Sequence, residues 1–187
     1  MAPMGPTFTP QAIPEVIRVE PRVHRDHRGF FVETHNERTY AQGGIDVRFV
    51  QDNASSSVRG TLRGLHAQVR RPQAKLVRAV YGEIFDVAVD IRRESPTFGQ
   101  WVGVTLSGDN FHQLYIPAGF AHGFCVLSHS AVVAYKVSDF YDPEGEITIS
   151  HRDPALGIQW PIHSPVLSDR DSDALTLREL VDSLPQR

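Results

Sequence analysis

An all-β fold, with strands packed as a sandwich or closed as a barrel, is predicted by three features of the 187-residue sequence. Short runs rich in β-branched and aromatic residues recur along it. Gly, Pro, Asn, Asp and Ser stand between those runs, and no helical pattern intervenes as βαβ units would require. Residues 1–12 hold Pro3, Pro6 and Pro10 and read as a loose arm. Strands are expected over residues 47–52, 75–81, 83–91, 100–106, 113–116 and 131–137. In 83–91 the period is two: Phe85, Val87, Val89 and Ile91 share one face, and Ile84, Asp86, Ala88 and Asp90 share the other. Asp86 and Asp90 read there as a solvated sheet face. A short helix is expected over 37–42. A second is expected in a tail over 172–187, where Leu175, Leu177, Leu180, Val181 and Leu184 form an apolar stripe behind Ser172 or Asp173 as cap. At about 150 residues per domain the chain is one domain, 1–187.

Charge and composition narrow the function. Nineteen Lys and Arg against 22 Asp and Glu give 19 − 22 = −3, which excludes a generally basic nucleic-acid surface. No apolar run approaches the roughly 18 residues of a membrane helix. The start has no basic segment followed by an apolar one, so a cytoplasmic protein is expected rather than a secreted one. Cys125 is the single cysteine and lies in an apolar stretch, which excludes an intrachain disulfide and reads as a small core residue.

Nine histidines raise the question of a metal. The spacing from Gly60 to His66, and the segment Pro117-Ala118-Gly119-Phe120-Ala121-His122, resemble the two signatures of cupin jelly rolls. Two residues after His66, however, stands Gln68, and Arg70, Arg71 and Pro72 follow where a glutamate would be needed. Two ligands, His66 and His122, fall short of the three that a transition-metal site wants, so no metal is expected.

The densest polar segment runs from Arg59 to His66, with Lys75 and Arg78 close behind. Alternate side chains of a strand face opposite ways, so Arg63 and His66 converge only across a bend or bulge, which Gly64 permits. Converged, Arg63 grips a phosphate and His66 moves a proton; otherwise the segment is a solvated basic edge. Lys75 shares a strand face with Val77 and Ala79, either at a barrel mouth or as an ammonium facing an oxyanion in a cavity. Tyr135 shares its face with Val133 and Val137, as a core residue or a proton donor. Residues 167–171 read as a polar turn.

In this order the segments resemble the dTDP-4-dehydrorhamnose 3,5-epimerase family. The matching runs are DHRGFF (26–31), FVQDN (49–53), RGLH (63–66), KLVR (75–78), GEIFDVAVD (82–90), SPTFGQW (95–101), LYIPAGFAHGF (114–124), Tyr135-Lys136, DPALGIQW (153–160) and LSDRD (167–171). The resemblance covers about residues 12–175 and implies a cupin-like jelly roll that epimerises dTDP-4-keto-6-deoxyglucose at C3 and C5 without a cofactor. It implies that His66, oriented by Asp171, takes a proton beside the C4 ketone, that Lys75 stabilises the enolate oxygen, and that Tyr135 returns a proton from the opposite face. It further implies that Arg63 and Arg170 hold the diphosphate and that His122 and Asp86 line the site. Arg28, Phe31, Glu33 and Gln51 would meet the deoxythymidine end, partly across a homodimer interface, and Asn53 would be a further substrate-binding residue. His24 stands where the family commonly has an aromatic ring that stacks on the base, and Ala67 where a larger residue is common. Members that invert only C3 or only C5 share the same base, lysine and tyrosine.

Overall fold

The computed structural model describes residues 5–183. Thirteen strands are observed: β1 (Thr7–Pro10), β2 (Ile17–Glu20), β3 (Val23–Asp26), β4 (Gly29–Val32), β5 (Gln51–Val58), β6 (Leu62–Gln68), β7 (Lys75–Tyr81), β8 (Glu83–Asp90), β9 (Trp101–Ser107), β10 (Gln113–Ile116), β11 (Phe120–Val126), β12 (Ser130–Val137) and β13 (Glu146–Thr148). Helices are short: α1 (Glu37–Gln42), α2 (Asp169–Ser172) and α3 (Leu177–Ser183). The all-β expectation and the short helix over 37–42 hold.

Two antiparallel sheets make a jelly-roll sandwich. One has the order β1-β2-β10-β7-β12-β5 and the other β13-β6-β11-β8-β9, while β3 and β4 form a separate hairpin. From β5 onward nearly every turn carries the chain from one sheet to the other. Residues close in sequence therefore stand on opposite walls of the interior. That crossing is what brings a site together from short segments.

The interior is apolar at one end. Val77, Ala79, Leu114, Ile116 and Val133 from the first sheet meet Ile84, Ala88, Phe120, Phe124 and Val126 from the second. The outer face of the second sheet, with Val87 and Val89, is covered by the C-terminal segment through Ile149, Leu156 and Leu177. The outer face of the first sheet, with Ile17, Val19 and Leu76, is covered by Tyr40 of α1 and by Ile45. Both faces of β8 are thus buried, which corrects the solvated face expected for Asp86 and Asp90. A strand covered on both sides keeps a carboxylate only if that group is bonded. Asp90 accepts hydrogen bonds from Arg92, Ser95 and Thr97. Burial raises its pKa, but those bonds outweigh burial and hold it well below the ordinary carboxylate value. Cys125 is fully buried, and burial pushes its thiol up to about 11, as suits a core residue.

The ends differ from the sequence reading. Of the arm expected over 1–12, Thr7–Pro10 is a strand, paired with Ile17–Glu20 from Thr7↔Glu20 to Pro10↔Ile17. An edge strand tolerates Pro10, because its missing N–H can face outward; Pro3 lies outside the described residues. The tail helix begins at Leu177 rather than behind Ser172 or Asp173. Ser172 instead ends α2, and Thr176 is the cap of α3: its hydroxyl accepts from the Glu179 N–H while the Glu179 carboxylate accepts from the Thr176 N–H, a capping box. Leu177 and Leu180 pack inward, Leu175 is exposed before the helix, and Leu184 lies outside the described residues. Residues 167–171 are only partly the solvated turn expected: Ser168, Asp169 and Arg170 are exposed, but the segment leads into α2, where Asp171 is buried.

Candidate active site

At the polar end of the sandwich a cavity of about 340 Å³ opens, the size of a small-molecule site. The wall from the second sheet supplies Arg63 and His66 from β6 and His122 from β11. The facing wall supplies Lys75 from β7, Tyr135 from β12, and Gln51 and Asn53 from β5. Seven residues anticipated from the sequence therefore meet in one space.

Arg63 and His66 share a wall because β6 carries an extra residue. Opposite His122 stands His66 and opposite Phe124 stands Arg63, so two steps on β11 match three on β6. A one-residue bulge of this kind restores two side chains three apart to one face. Gly64 occupies the bulge with φ of +113°, and a Cβ there would lie 2.6 Å from the His122 carbonyl oxygen. Gly64→Ala is expected to destabilise the fold by about 1–3 kcal/mol, the scale of one strained backbone position, read as a lower midpoint in urea unfolding. An unchanged midpoint would mean that the bulge does not need glycine.

His66 is held from behind. Its Nε2 lies 2.6 Å from Asp171 Oδ1, and Asp171 Oδ2 accepts from the Ser168 hydroxyl at 2.8 Å. Burial pushes the Asp171 carboxyl up, but the hydrogen bond and charge of His66, with Ser168, outweigh burial and leave its pKa below the ordinary value. Facing an ionised carboxylate, Nε2 carries the proton and donates it. Nδ1 is then the basic nitrogen, on a side chain that lines the cavity.

His122 donates from Nε2 to Asp86 Oδ1 at 2.8 Å, with Asp86 fully buried beneath it. Asp86 therefore supports the cavity through His122 rather than lining it. Burial lowers the His122 pKa, with Asp86 partly opposing, so this imidazole is neutral. Lys75 is buried on the opposite wall, where burial lowers its pKa to about 8 against the charges of Asp86 and Glu146. Burial likewise raises the Tyr135 phenol, helped by Glu146 and opposed by Arg63, so at neutral pH it is a proton carrier. The Arg63 Nε donates to the Ser57 hydroxyl at 3.0 Å, which fixes the guanidinium at the cavity mouth.

The rim holds residues that the sequence reading did not single out. Glu146 Oε2 accepts from both the Tyr141 hydroxyl and Arg170 Nη1, each at 2.7 Å, and Glu146 and Tyr141 line the cavity. Arg170 is thereby anchored behind Glu146 rather than lining the space itself. Ser55 and Gln68 also line it, and their Oγ and Oε1 are buried with no hydrogen-bond partner among the described residues. Ser55 continues the alternation Gln51, Asn53 and was accessible to a period-two reading. Glu146 follows a turn and carried no such signal. Among the described residues no three His, Cys, Asp or Glu are grouped to hold a metal ion.

Besides Asp171, Asp86 and Arg170, which stand behind lining residues, four anticipated residues are not brought to the cavity. His24, Arg28 and Phe31 lie on the hairpin β3–β4, Glu33 lies just after it, and none of the four lines the cavity. Arg28 pairs with Asp26, and Phe31 is 70 % exposed. Arg25 stands over the rings of Phe30 and Phe111, which ties the hairpin to the turn after β9.

A family model described as dTDP-4-dehydrorhamnose 3,5-epimerase matches residues 10–179. A protein of that name from Pseudomonas aeruginosa is 59 % identical over 162 residues, 86 % of this chain and 90 % of the relative. A protein from Streptomyces niveus named dTDP-4-dehydrorhamnose 3-epimerase is 41 % identical over 93 % of this chain and 85 % of its own length. The crystal structure of dTDP-6-deoxy-D-glucose-3,5-epimerase from Legionella pneumophila, in complex with dTDP-4-keto-L-rhamnose, superposes with a TM-score of 0.92 at 49 % identity, covering 97 % of this chain and 98 % of that one. A match over so much of the length, with the cavity residues in the matched region, makes this chain a member of the dTDP-4-dehydrorhamnose 3,5-epimerase family.

Proposed function

We propose that the chain epimerises dTDP-4-keto-6-deoxy-D-glucose at C3 and C5 to dTDP-4-keto-L-rhamnose. One observation carries the reading: His66 stands on one wall of a single cavity and Lys75 and Tyr135 on the facing wall. Carbons C3 and C5 both adjoin the C4 ketone. Removing a proton from either puts negative charge on the ketone oxygen, which a cation fixed in a dry cavity stabilises. His66 Nδ1 takes the proton, Lys75 meets the developing enolate, and Tyr135 gives a proton to the opposite face of the ring. Inversion follows because the two proton carriers belong to different sheets. Asp171 orients His66, and His122, supported by Asp86, lines the sugar site.

Arg63 holds the diphosphate, with Arg170 adding its charge from behind Glu146, and Gln51 and Asn53 meet the deoxythymidine end. The projecting hairpin, with His24, Arg28, Phe31 and the nearby Glu33, meets the deoxythymidine end across a homodimer interface; Phe31, 70 % exposed, gives it apolar surface to bury there. The enzyme works in the cytoplasm, in keeping with its one unpaired cysteine. No helix among the described residues is long and apolar enough to cross a membrane.

The test is incubation of the keto sugar with enzyme in D2O, with C3 and C5 read by NMR. Deuterium at both carbons is expected. Label at C3 alone would assign this chain the narrower activity that the Streptomyces niveus relative's name describes. No label at either carbon would defeat the proposal.

A further inference from the structure

A second cavity, of about 700 Å³, shares its walls with the segments that build the first. Leu62 lines it one residue before Arg63, and Leu167 and Ser172 line it on either side of Asp171. Its ionisable lining is His151, Arg152 and His163, and no Asp or Glu among the described residues lines it. The side chains of Arg152 and His163 make no hydrogen bond or ion pair with the described residues.

His151 is the unusual member. It is 6 % exposed, and its Nδ1 is sealed from solvent without a hydrogen-bond partner among the described residues. A sealed nitrogen is better tolerated as a lone pair than as an unmet donor, which leaves the proton on Nε2. Trp160 fixes this residue by donating from Nε1 to the His151 carbonyl at 3.0 Å, while its own ring stands edge-on to Phe85. Burial and the charge of Arg152 hold the imidazole pKa below its ordinary value, against the pull of Asp171. Asp171 does not compete for an incoming group, since both its oxygens are engaged by His66 and Ser168.

We infer that this cavity binds a small oxyanion, phosphate or carboxylate, on the Arg152 guanidinium with the imidazoles of His151 and His163 as further donors. A planar guanidinium matches two oxygens of either group, and a lining without carboxylates opposes neither. The site is separate from the epimerase cavity and does not depend on the reaction proposed for it.

The experiment titrates the full chain with sodium phosphate or sodium acetate at constant ionic strength. It follows the imidazole signals of His151 and His163 and the indole N–H of Trp160 by NMR. Saturable shifts are expected with at least one of the two anions; phosphate alone assigns a phosphate site, acetate alone a carboxylate site, and both a general oxyanion site. Arg152→Ala is expected to weaken the apparent affinity by about tenfold or more, the weight of one charge-assisted contact. Arg63→Gln, which removes a cation from the first cavity, should leave these shifts unchanged. A linear drift without saturation, saturation undiminished in Arg152→Ala, or loss of the response in Arg63→Gln would each overturn the inference.

Discussion

His66→Asn lowers turnover of the keto sugar by about 10²–10⁴-fold, the range that a positioned general base contributes. The amide keeps a donor for Asp171, whose carboxylate is otherwise held by Ser168, so the variant stays folded. What it loses is the basic Nδ1. If one base serves both carbons, deuterium exchange falls at C3 and C5 together. Exchange kept at one carbon would reveal a second base and refute that assignment. Tyr135→Phe provides the contrast, because it leaves the base in place. It should permit exchange on the His66 side while inversion slows, so label would outrun product. Circular dichroism and steady-state kinetics on both variants settle the matter. Wild-type turnover in each would remove the two roles.

Lys75→Met separates activity from stability. In the proposed reaction the ammonium is needed, so its removal costs about 10²–10³-fold in turnover, as loss of an oxyanion donor does. Stability should move the other way. A lysine whose folded pKa is about 8, against the 10.5 of an exposed one, penalises folding while it is charged. That penalty is fully present below pH 8, where both states hold the proton. It is relieved as pH rises from about 8 to 10.5, where the unfolded chain alone keeps it. The difference corresponds to about 3 kcal/mol. At pH 7 the methionine variant is therefore expected to unfold at a higher urea concentration than wild type, and the gap should close by pH 10.5. Turnover of wild type should fall as pH rises through about 8, because the ammonium is lost. An alkaline limb absent from wild type, or a Met variant less stable at pH 7, would contradict this account of Lys75.

Much of the sandwich was legible from alternation. Strands β7, β8 and β10 fall where period-two patterns of Val, Ile, Leu and Tyr place them, since those residues fit a half-buried pleated surface. Strand β5 was largely missed: it was expected over 47–52 and is observed over Gln51–Val58, with only Gln51 and Asp52 in common. Its later residues, Asn53-Ala54-Ser55-Ser56-Ser57, are mostly polar because Asn53 and Ser55 line the cavity instead of the core while Ala54 and Ser56 are exposed, and a strand without apolar alternation looks like a loop. Asp86 and Asp90 were misread for the related reason that a bonded carboxylate looks in sequence like a solvated one. The partner that decides, His122 for one and Arg92 with Ser95 and Thr97 for the other, is visible only after folding.

The active-site side chains were legible in a different way. Spacing alone left Arg63, His66, Lys75 and Tyr135 each with a bland alternative, and only their joint order pointed to one chemistry. Glu146 and Tyr141 escaped because one opens the three-residue strand β13, the other lies in the loop before it, and both acquire meaning through Arg170, far away in sequence. The start of α3 needed no tertiary information. Thr176 and Glu179 are three apart and sit just ahead of an apolar stripe, which is a local signal stronger than the caps first assigned.

The extra residue in β6 makes the cavity's chemistry a matter of parity. Facing in a strand is a yes-or-no property, so losing one residue between positions 63 and 66 would not weaken the pairing of guanidinium and imidazole by degrees; it would send one of them through the sheet to the far side. Gradual tuning of this catalyst is therefore open to substitution, while length changes along that short stretch are closed to it.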